Sequence, residues 1–201
     1  MTKRITDLTI AMLLLVVLSP LLLLAMAAIA LTMGRPVIFT QTRTGLSGQR
    51  FRLMKLRTMR DSHGADGKPL SDTERLTSLG RFLRKSSIDE LPELINVMRG
   101  EMSLVGPRPL LTRYDRWYTD TERLRFAARP GLTGLAQVSG RNNVGWDARL
   151  AMDVRYVRNW SLGMDLSILV KTGWGAVAGS GVTVDPSAAM QDLDIERQCR
   201  V

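Results

Sequence analysis

Hydrophobic and polar positions divide the chain unevenly. From Leu8 to Gly34 the sequence "LTIAMLLLVVLSPLLLLAMAAIALTMG" runs 27 residues without a charge. That exceeds the ~18 apolar residues that mark a membrane segment. As one straight helix it would be about 40 Å long, against a hydrocarbon core of about 30 Å. Beyond Gly34 no second run of that length occurs. Residues 36–59 alternate in strand fashion around Gly45-Leu46-Ser47-Gly48, which predicts a β-hairpin with strands at Val37-Ile38-Phe39 and Phe51–Met59. Residues 61–72 have loop composition and contain His63, the sole histidine, which reads as a solvated loop residue.

Helical spacing reappears at Leu91, Leu94, Ile95 and Met98. Gly100 is a suitable stop, and Asp89 as N-cap would place Pro92 at the third helical position, where its missing N–H costs nothing. Gly106-Pro107-Arg108-Pro109 rules out a helix through residues 101–110. Residues 112–129 read as helical through Trp117, Leu124 and Phe126. Residues 129–142 read as a glycine-rich loop around a short strand. Residues 147–160 form a helix with Leu150, Val154 and Val157 on one face. Residues 164–178 form an apolar helix too short to span a membrane, suited to a core or to lying on a bilayer. The polar stretch 186–201 reads as a loose tail.

The apolar run admits three readings. A signal peptide is suggested by Lys3-Arg4 and by Ala25-Met26-Ala27, but the run is too long and continues past that site. A single spanning helix is the plain reading. A hairpin broken at Ser19-Pro20 is the third. Pro20 removes one helical N–H and crowds the Val16 carbonyl, and the Ser19 hydroxyl is a candidate partner for the freed group. The arms 8–19 and 20–34 would be about 18 and 22 Å long, each reaching only partway across. Basic residues flank both sides of the run, and a span must place one basic flank outside, whereas a hairpin keeps both inside.

Charge narrows the partners. The net charge is +9 over 201 residues, which favours anionic partners: acidic headgroups, phosphorylated substrates or nucleic acid. The basic residues are dispersed among loops and are not interleaved with aromatics, which argues against nucleic acid. A single cysteine, Cys199, excludes an internal disulfide and fits a reducing compartment.

Candidate chemistry gathers at "SSIDELPELINVMRG", residues 86–100. Acids in a first helical turn commonly oppose the helix dipole, and nothing more. Here Arg81, Arg84 and Lys85 stand upstream and Arg108 downstream, a setting for phosphate. Two carboxylates facing phosphate call for a divalent cation, with Mg²⁺ the usual one. A carboxylate so placed can also attack phosphorus and form an acyl-phosphate.

Several segments in order carry a resemblance: "KRITDL", Ser19-Pro20, "VIFTQTRTG", "FRLMKLRTM", "LRKSSIDELPELINVMRGEMSLVGPRP", "RPGLTGLAQVSGRN" and "LAMDVRYV". From Lys3 to about Val184 the chain resembles small monotopic phosphoglycosyl transferases of the bacterial sugar transferase family, in their minimal catalytic form. The resemblance implies an α-rich α/β fold in three parts. Residues 1–35 would be a re-entrant membrane helix broken at Ser19 and Pro20. Residues 36–185 would be a cytosolic catalytic domain with interfacial amphipathic helices and a small β-hairpin, and 186–201 a polar tail. It implies Asp89 as nucleophile and Glu90 as its partner, with both carboxylates, chiefly Glu90, holding Mg²⁺. The donor would be a UDP-sugar, the acceptor polyprenol (undecaprenyl) phosphate, the released product UMP, and the kinetics ping-pong. Pro107, Arg108, Pro109 and Arg84 would contact the nucleotide and phosphates. Lys55, Arg57, Arg141 and Asp153 are further binding candidates whose plain alternative is ion pairing. The location implied is the cytoplasmic face of the bacterial inner membrane. Leu135 stands where relatives often carry tryptophan at or next to that position. A basic membrane-anchored protein that binds acidic lipid or nucleic acid without catalysis is the alternative from another class.

Overall fold

The computed structural model describes residues 2–64, 66–139, 145–177 and 191–199. The apolar run forms one helix, α1, Thr2–Met33, with Pro20 inside it. The expected interruption into two separate arms is absent from the secondary structure. The reason is local: Pro20 leaves the Val16 carbonyl without its helical donor, and Ser19 Oγ donates to that carbonyl at 2.8 Å. In the most apolar 18-residue stretch only 11% of the positions are buried. The buried residues of α1 are Asp7 and Ala11 near one end and Ala25 and Ile29 near the other.

Both ends of α1 are fastened to the same body. Lys3 Nζ donates to Asp165 Oδ2 at 2.6 Å and to the Val105 carbonyl at 3.1 Å. Arg4 donates to the Val97 and Met98 carbonyls at 2.8 and 3.3 Å, and the Asp7 carboxylate accepts from Ser103 Oγ at 2.7 Å. At the far end Arg57 donates to the Gly34 carbonyl at 2.7 Å and to the Met33 carbonyl. Those are orphan acceptors of a helix C-terminus, which a cation suits. Arg57, a substrate-binding candidate from sequence, is occupied with this cap.

The hairpin forms as expected, with longer strands. β1, Ile38–Thr44, pairs antiparallel with β2, Arg50–Leu56, so that Phe39 faces Lys55 and Arg43 faces Phe51. Ladder pairing recruits the polar stretch 40–44 that composition alone leaves outside a strand. Phe51, Leu53 and Leu56 turn into the core. Two short helices follow, α2 (Asp72–Arg75) and α3 (Ser78–Lys85).

The helix expected from an Asp89 N-cap starts later. Ser87 takes a left-handed conformation (φ 56°), Ile88–Glu90 form a 3₁₀ turn, and α4 runs Glu93–Arg99 with Pro92 at its N-cap. Gly100 terminates it at φ 84°, as expected. Asn96, fully buried, accepts from the Met54 N–H at 3.1 Å and donates to the Arg52 carbonyl at 2.8 Å, which locks α4 to β2.

β3, Ser103–Val105, pairs in parallel with β4, Gly131–Thr133, a contact across 28 residues that no local pattern announces. Three glycines let the backbones meet. A Cβ on Gly131 would lie 2.1 Å from the Gly106 nitrogen and 2.3 Å from the Thr133 oxygen, and one on Gly134 would lie 2.1 Å from the Gly106 oxygen. All these obstacles are backbone, so Gly131→Ala is expected to lower stability by about 3 kcal/mol, the upper end for overpacking. Thermal unfolding of the purified variant checks this, and a midpoint near that of the wild type would refute it.

The single helix expected over 112–129 is three pieces: a 3₁₀ stretch Thr112–Trp117, α5 at Asp120–Arg123, and a second 3₁₀ turn Leu124–Ala127. Thr119 and Glu122 form a reciprocal capping box that starts a new helix in the middle. α6 (Leu135–Ser139) precedes α7 (Trp146–Arg158), which buries Leu150, Asp153, Val154 and Tyr156. α8 runs Leu162–Val177. Its Asp165 takes Lys3, Trp160 Nε1 at 2.9 Å and the Tyr156 hydroxyl at 2.7 Å, while Leu162, Leu166, Val170 and Trp174 are exposed at four-residue spacing.

Within the expected loose tail, residues 191–199 are docked. α9, Leu193–Gln198, buries Leu193 completely against Tyr114 and Trp146. Trp146 Nε1 donates to the Gln191 carbonyl at 2.8 Å, and Arg197 bridges Glu122 (2.6 Å) and Asp147 (2.8 Å). One apolar anchor and several ion pairs suffice for so short a helix. The whole is a helix-rich α/β protein with an apolar N-terminal helix and small sheets.

Candidate active site

The turn between α3 and α4 sets the site. Ser87 reverses the chain, the 3₁₀ turn separates successive side chains by about 120°, and Pro92 starts α4. Asp89 and Glu90, adjacent in sequence, therefore have different surroundings. Glu90 Oε1 accepts from Lys55 Nζ at 2.6 Å and from Arg108 Nη2 at 2.9 Å. Lys55 Nζ also stands 3.2 Å from Glu93 Oε1. The Asp89 carboxylate is buried and accepts no hydrogen bond among the described residues.

The electrostatics follow from these contacts. Burial raises the pKa of Asp89 to about 6, and the negative charge of Glu90 adds to this against Lys55, Arg84 and Arg108. Burial works in the same sense on Glu90, but Lys55 and Arg108 outweigh it and hold that carboxyl below its ordinary range. Glu93 is raised by burial, with Lys55 only partly offsetting it. Two neighbouring acids thus differ: one is firmly ionised and paired, the other is uncommitted and basic.

The candidates from sequence separate into those at this cluster and those elsewhere. Lys55, Glu90 and Arg108 are in direct contact. Arg84 lies close enough for its charge to act on Asp89, while its Nε donates to Thr58 Oγ1 at 3.1 Å. Pro107 and Pro109 are buried and fix the backbone between them, so that Arg108, with 41% of its side chain exposed, is what the segment presents. Asp153 does not reach the cluster. It pairs with Arg125 at 2.8 Å, with 3% of the Arg125 side chain and 4% of its own exposed. Arg125 in turn donates to the Arg108 carbonyl at 2.7 Å. Asp153 therefore acts through Arg125 on the position of Arg108. Ser19 and Pro20 lie in the middle of α1, away from this cluster, and Arg141 falls outside the described residues.

Glu93 and Arg125 escaped the sequence reading. Glu93 falls four residues after Asp89, a spacing that could have flagged it. Arg125, set among Leu124, Phe126 and Ala127, carried no signal beyond an arginine in an apolar stretch.

Among the described residues no three His, Cys, Asp or Glu side chains are grouped to hold a metal by themselves. Asp89 and the second oxygen of Glu90 offer carboxylate oxygens that accept no hydrogen bond among the described residues. That donor pair suits magnesium, which takes one or two carboxylates and completes its shell with water and substrate phosphates.

A buried carboxylate that accepts no hydrogen bond among the described residues thus stands near Lys55, Arg84 and Arg108, an arrangement suited to anionic substrates. The chain belongs to the bacterial sugar transferase family, whose model matches residues 1–179. It is 47% identical to the sugar transferase EpsL of Bacillus subtilis, over 90% of this chain and 89% of that protein. It is 46% identical to the UDP-glucose:undecaprenyl-phosphate glucose-1-phosphate transferase of Caulobacter vibrioides, over 85% of this chain and 67% of the relative. It is 39% identical to the undecaprenyl-phosphate galactose phosphotransferase of Salmonella typhimurium, over 85% of this chain but only 39% of that longer protein. The protein is thus a sugar transferase.

Proposed function

We propose that this enzyme transfers a sugar-1-phosphate from a UDP-sugar to polyprenol phosphate and releases UMP. The observation that carries the reading is the buried, uncommitted Asp89 carboxylate next to Glu90 and the cations Lys55, Arg84 and Arg108. Names of relatives that act on undecaprenyl phosphate support it.

In the first step an Asp89 oxygen attacks the sugar-bearing phosphorus. The bond from that phosphorus to the bridging oxygen breaks, and UMP leaves with the electron pair. In the second step a phosphate oxygen of the lipid attacks the same phosphorus, and the Asp89 carboxylate is the leaving group. The product is polyprenol-diphosphate-sugar. Burial supports the role of Asp89, since a carboxyl group with a pKa of about 6 is more basic than an exposed one yet still ionised at neutral pH. Arg108 and Arg84 would bear on the phosphoryl oxygens, and Lys55 keeps Glu90 oriented. Asp89 and Glu90 would hold Mg²⁺, which when bound supplies charge neutralisation between carboxylates and phosphates.

The attachments of α1 bear on the membrane arrangement. A helix crossing a bilayer places its ends on opposite faces, about 30 Å apart. Here Lys3 and Arg4 at one end and the Met33 and Gly34 carbonyls at the other are bound to one domain. That shared attachment supports a re-entrant helix entering one leaflet, with Pro20 inside α1 as the point where it would bend. We place the site on the cytoplasmic face of the bacterial inner membrane, where both basic flanks of the run would stay inside. In a Cys199→Ser background, cysteines placed at Thr2 and Arg35 should react with an impermeant maleimide from the same side of sealed vesicles. Labelling from opposite sides would disprove the arrangement.

The function itself is tested with a panel of UDP-sugars, polyprenol phosphate and magnesium. UMP should appear with at least one donor, and intact-mass analysis without lipid should show the protein gaining one phosphosugar. Lipid product without that adduct would remove Asp89 from the nucleophile's role.

A further inference from the structure

Arg43 lies on β1, outside the set of groups assigned above. Its place is fixed twice: it faces Phe51 across the hairpin, and it forms an antiparallel bridge with Leu111, three residues beyond Arg108. The next two residues, Thr44 and Gly45, line one small cleft together with Pro107 and Arg108. The Arg43 guanidinium is partly buried. Nη2 donates to Gln41 Oε1 at 2.6 Å, a neutral acceptor, and the buried Nε has no hydrogen-bond partner among the described residues. Among those residues no carboxylate lies within salt-bridge distance of it. The neighbouring charge that acts on it most strongly is Arg108, of like sign; burial first, and then that charge, lowers its pKa.

Such an arrangement is unfavourable as it stands. Folded proteins pair buried cations and satisfy buried donors, because leaving one unpaired forfeits its hydration without replacement. The Glu93 charge acts on Arg43 in the favourable sense but only from beyond ion-pair distance, and Glu93 already stands with Lys55, while the charge of Glu90 is shared between Lys55 and Arg108. Two guanidinium groups near enough for their charges to act on each other, one of them with a donor to spare, suit a phosphoryl group held by charge-assisted hydrogen bonds.

We propose that Arg43 and Arg108 form a phosphoryl-binding subsite on the β1 side of the catalytic cluster. The proposal rests on the phosphoryl-transfer reading above and adds a residue to it. The shared chemistry is a phosphate oxyanion, and two sources bring one to the enzyme: the nucleotide and the lipid acceptor.

The test uses full-length protein in lipid nanodiscs, as wild type, Arg43→Met and Arg43→Lys, with Arg99→Ala as an exposed-arginine control. UMP affinity is measured by calorimetry and KM for polyprenol phosphate at saturating donor. Losing a charge-assisted hydrogen bond should weaken one of the two by about 10–100-fold in Arg43→Met. Arg43→Lys should lie between Arg43→Met and wild type, and Arg99→Ala should match wild type. A loss confined to UMP assigns the subsite to the nucleotide, and a raised KM alone assigns it to the lipid phosphate. Should Arg43→Met fail to fold, Arg43→Lys decides, since it keeps the charge but lacks Nε. Both constants unchanged in the folded variants overturns the subsite. Absence of UMP release by the wild type with every donor would sink the transfer reading instead, and pyrophosphate binding to wild type and Arg43→Met would then still judge the subsite.

Discussion

Asp89→Asn is expected to abolish transfer while leaving the protein more stable. Asparagine matches aspartate in size but cannot form the acyl-phosphate, so turnover should fall by about 10³-fold or more, and no phosphosugar adduct should appear in the intact mass. The stability effect has a definite sign. The folded-state pKa of Asp89 is raised to about 6, above its unfolded value, mainly by burial and then by Glu90. The protonated form is thus favoured by folding, and that contribution is lost as pH rises through 6. Above that pH the wild type carries a buried, poorly compensated charge that the asparagine variant lacks. In magnesium-free buffer the variant should melt above the wild type at pH 8, with the gap narrowing towards pH 5. A rise from the ordinary aspartate value to about 6 limits this gain to about 3 kcal/mol. A variant that unfolds at lower temperature than wild type at pH 8 would mean that Asp89 is a structural acid.

Asp153→Ala is expected to be the most destabilising of the charge removals. It leaves Arg125 buried without its partner, which typically costs about 3–5 kcal/mol. For a chain of this length that lowers the melting midpoint by roughly 6–20 °C. Replacing both, as Arg125→Met with Asp153→Leu, should recover much of the loss, because no unpaired charge remains. Activity should not recover with it. Arg125 Nη2 holds the Arg108 carbonyl, so the double variant should fold yet bind phosphorylated substrate less well. Full activity in the stable double variant would show that the Arg108 segment needs no such support.

The fold was legible where a local signal matched a local cause. The hairpin announced itself through the 45–48 turn, α7 through helical spacing and α8 through its apolar run. The start of α4 was misplaced because the left-handed Ser87 leaves no sequence mark. The division of 112–129 was readable in principle. Thr119 and Glu122 repeat the capping pattern that Ser71 and Glu74 show in the earlier "SDTER" stretch, but the apolar points obscured it. The docking of α9 could not be read, because a six-residue polar helix gains its place only from Tyr114 and Trp146, distant in sequence.

The site divides the same way. Its acids, its Arg108 and the apolar character of α1 follow from residue type and order alone, since charge and hydrophobicity belong to the residues themselves. The tertiary structure alone decided that Lys55 and Arg108 share Glu90 while Asp89 stays uncommitted. It alone committed Arg57 to the end of α1 and Asp153 to Arg125, and brought both ends of α1 to one domain. Those outcomes depend on which groups meet across 18 to 162 residues of chain, and a pairing at that range is set by packing and desolvation, which no short stretch of sequence contains.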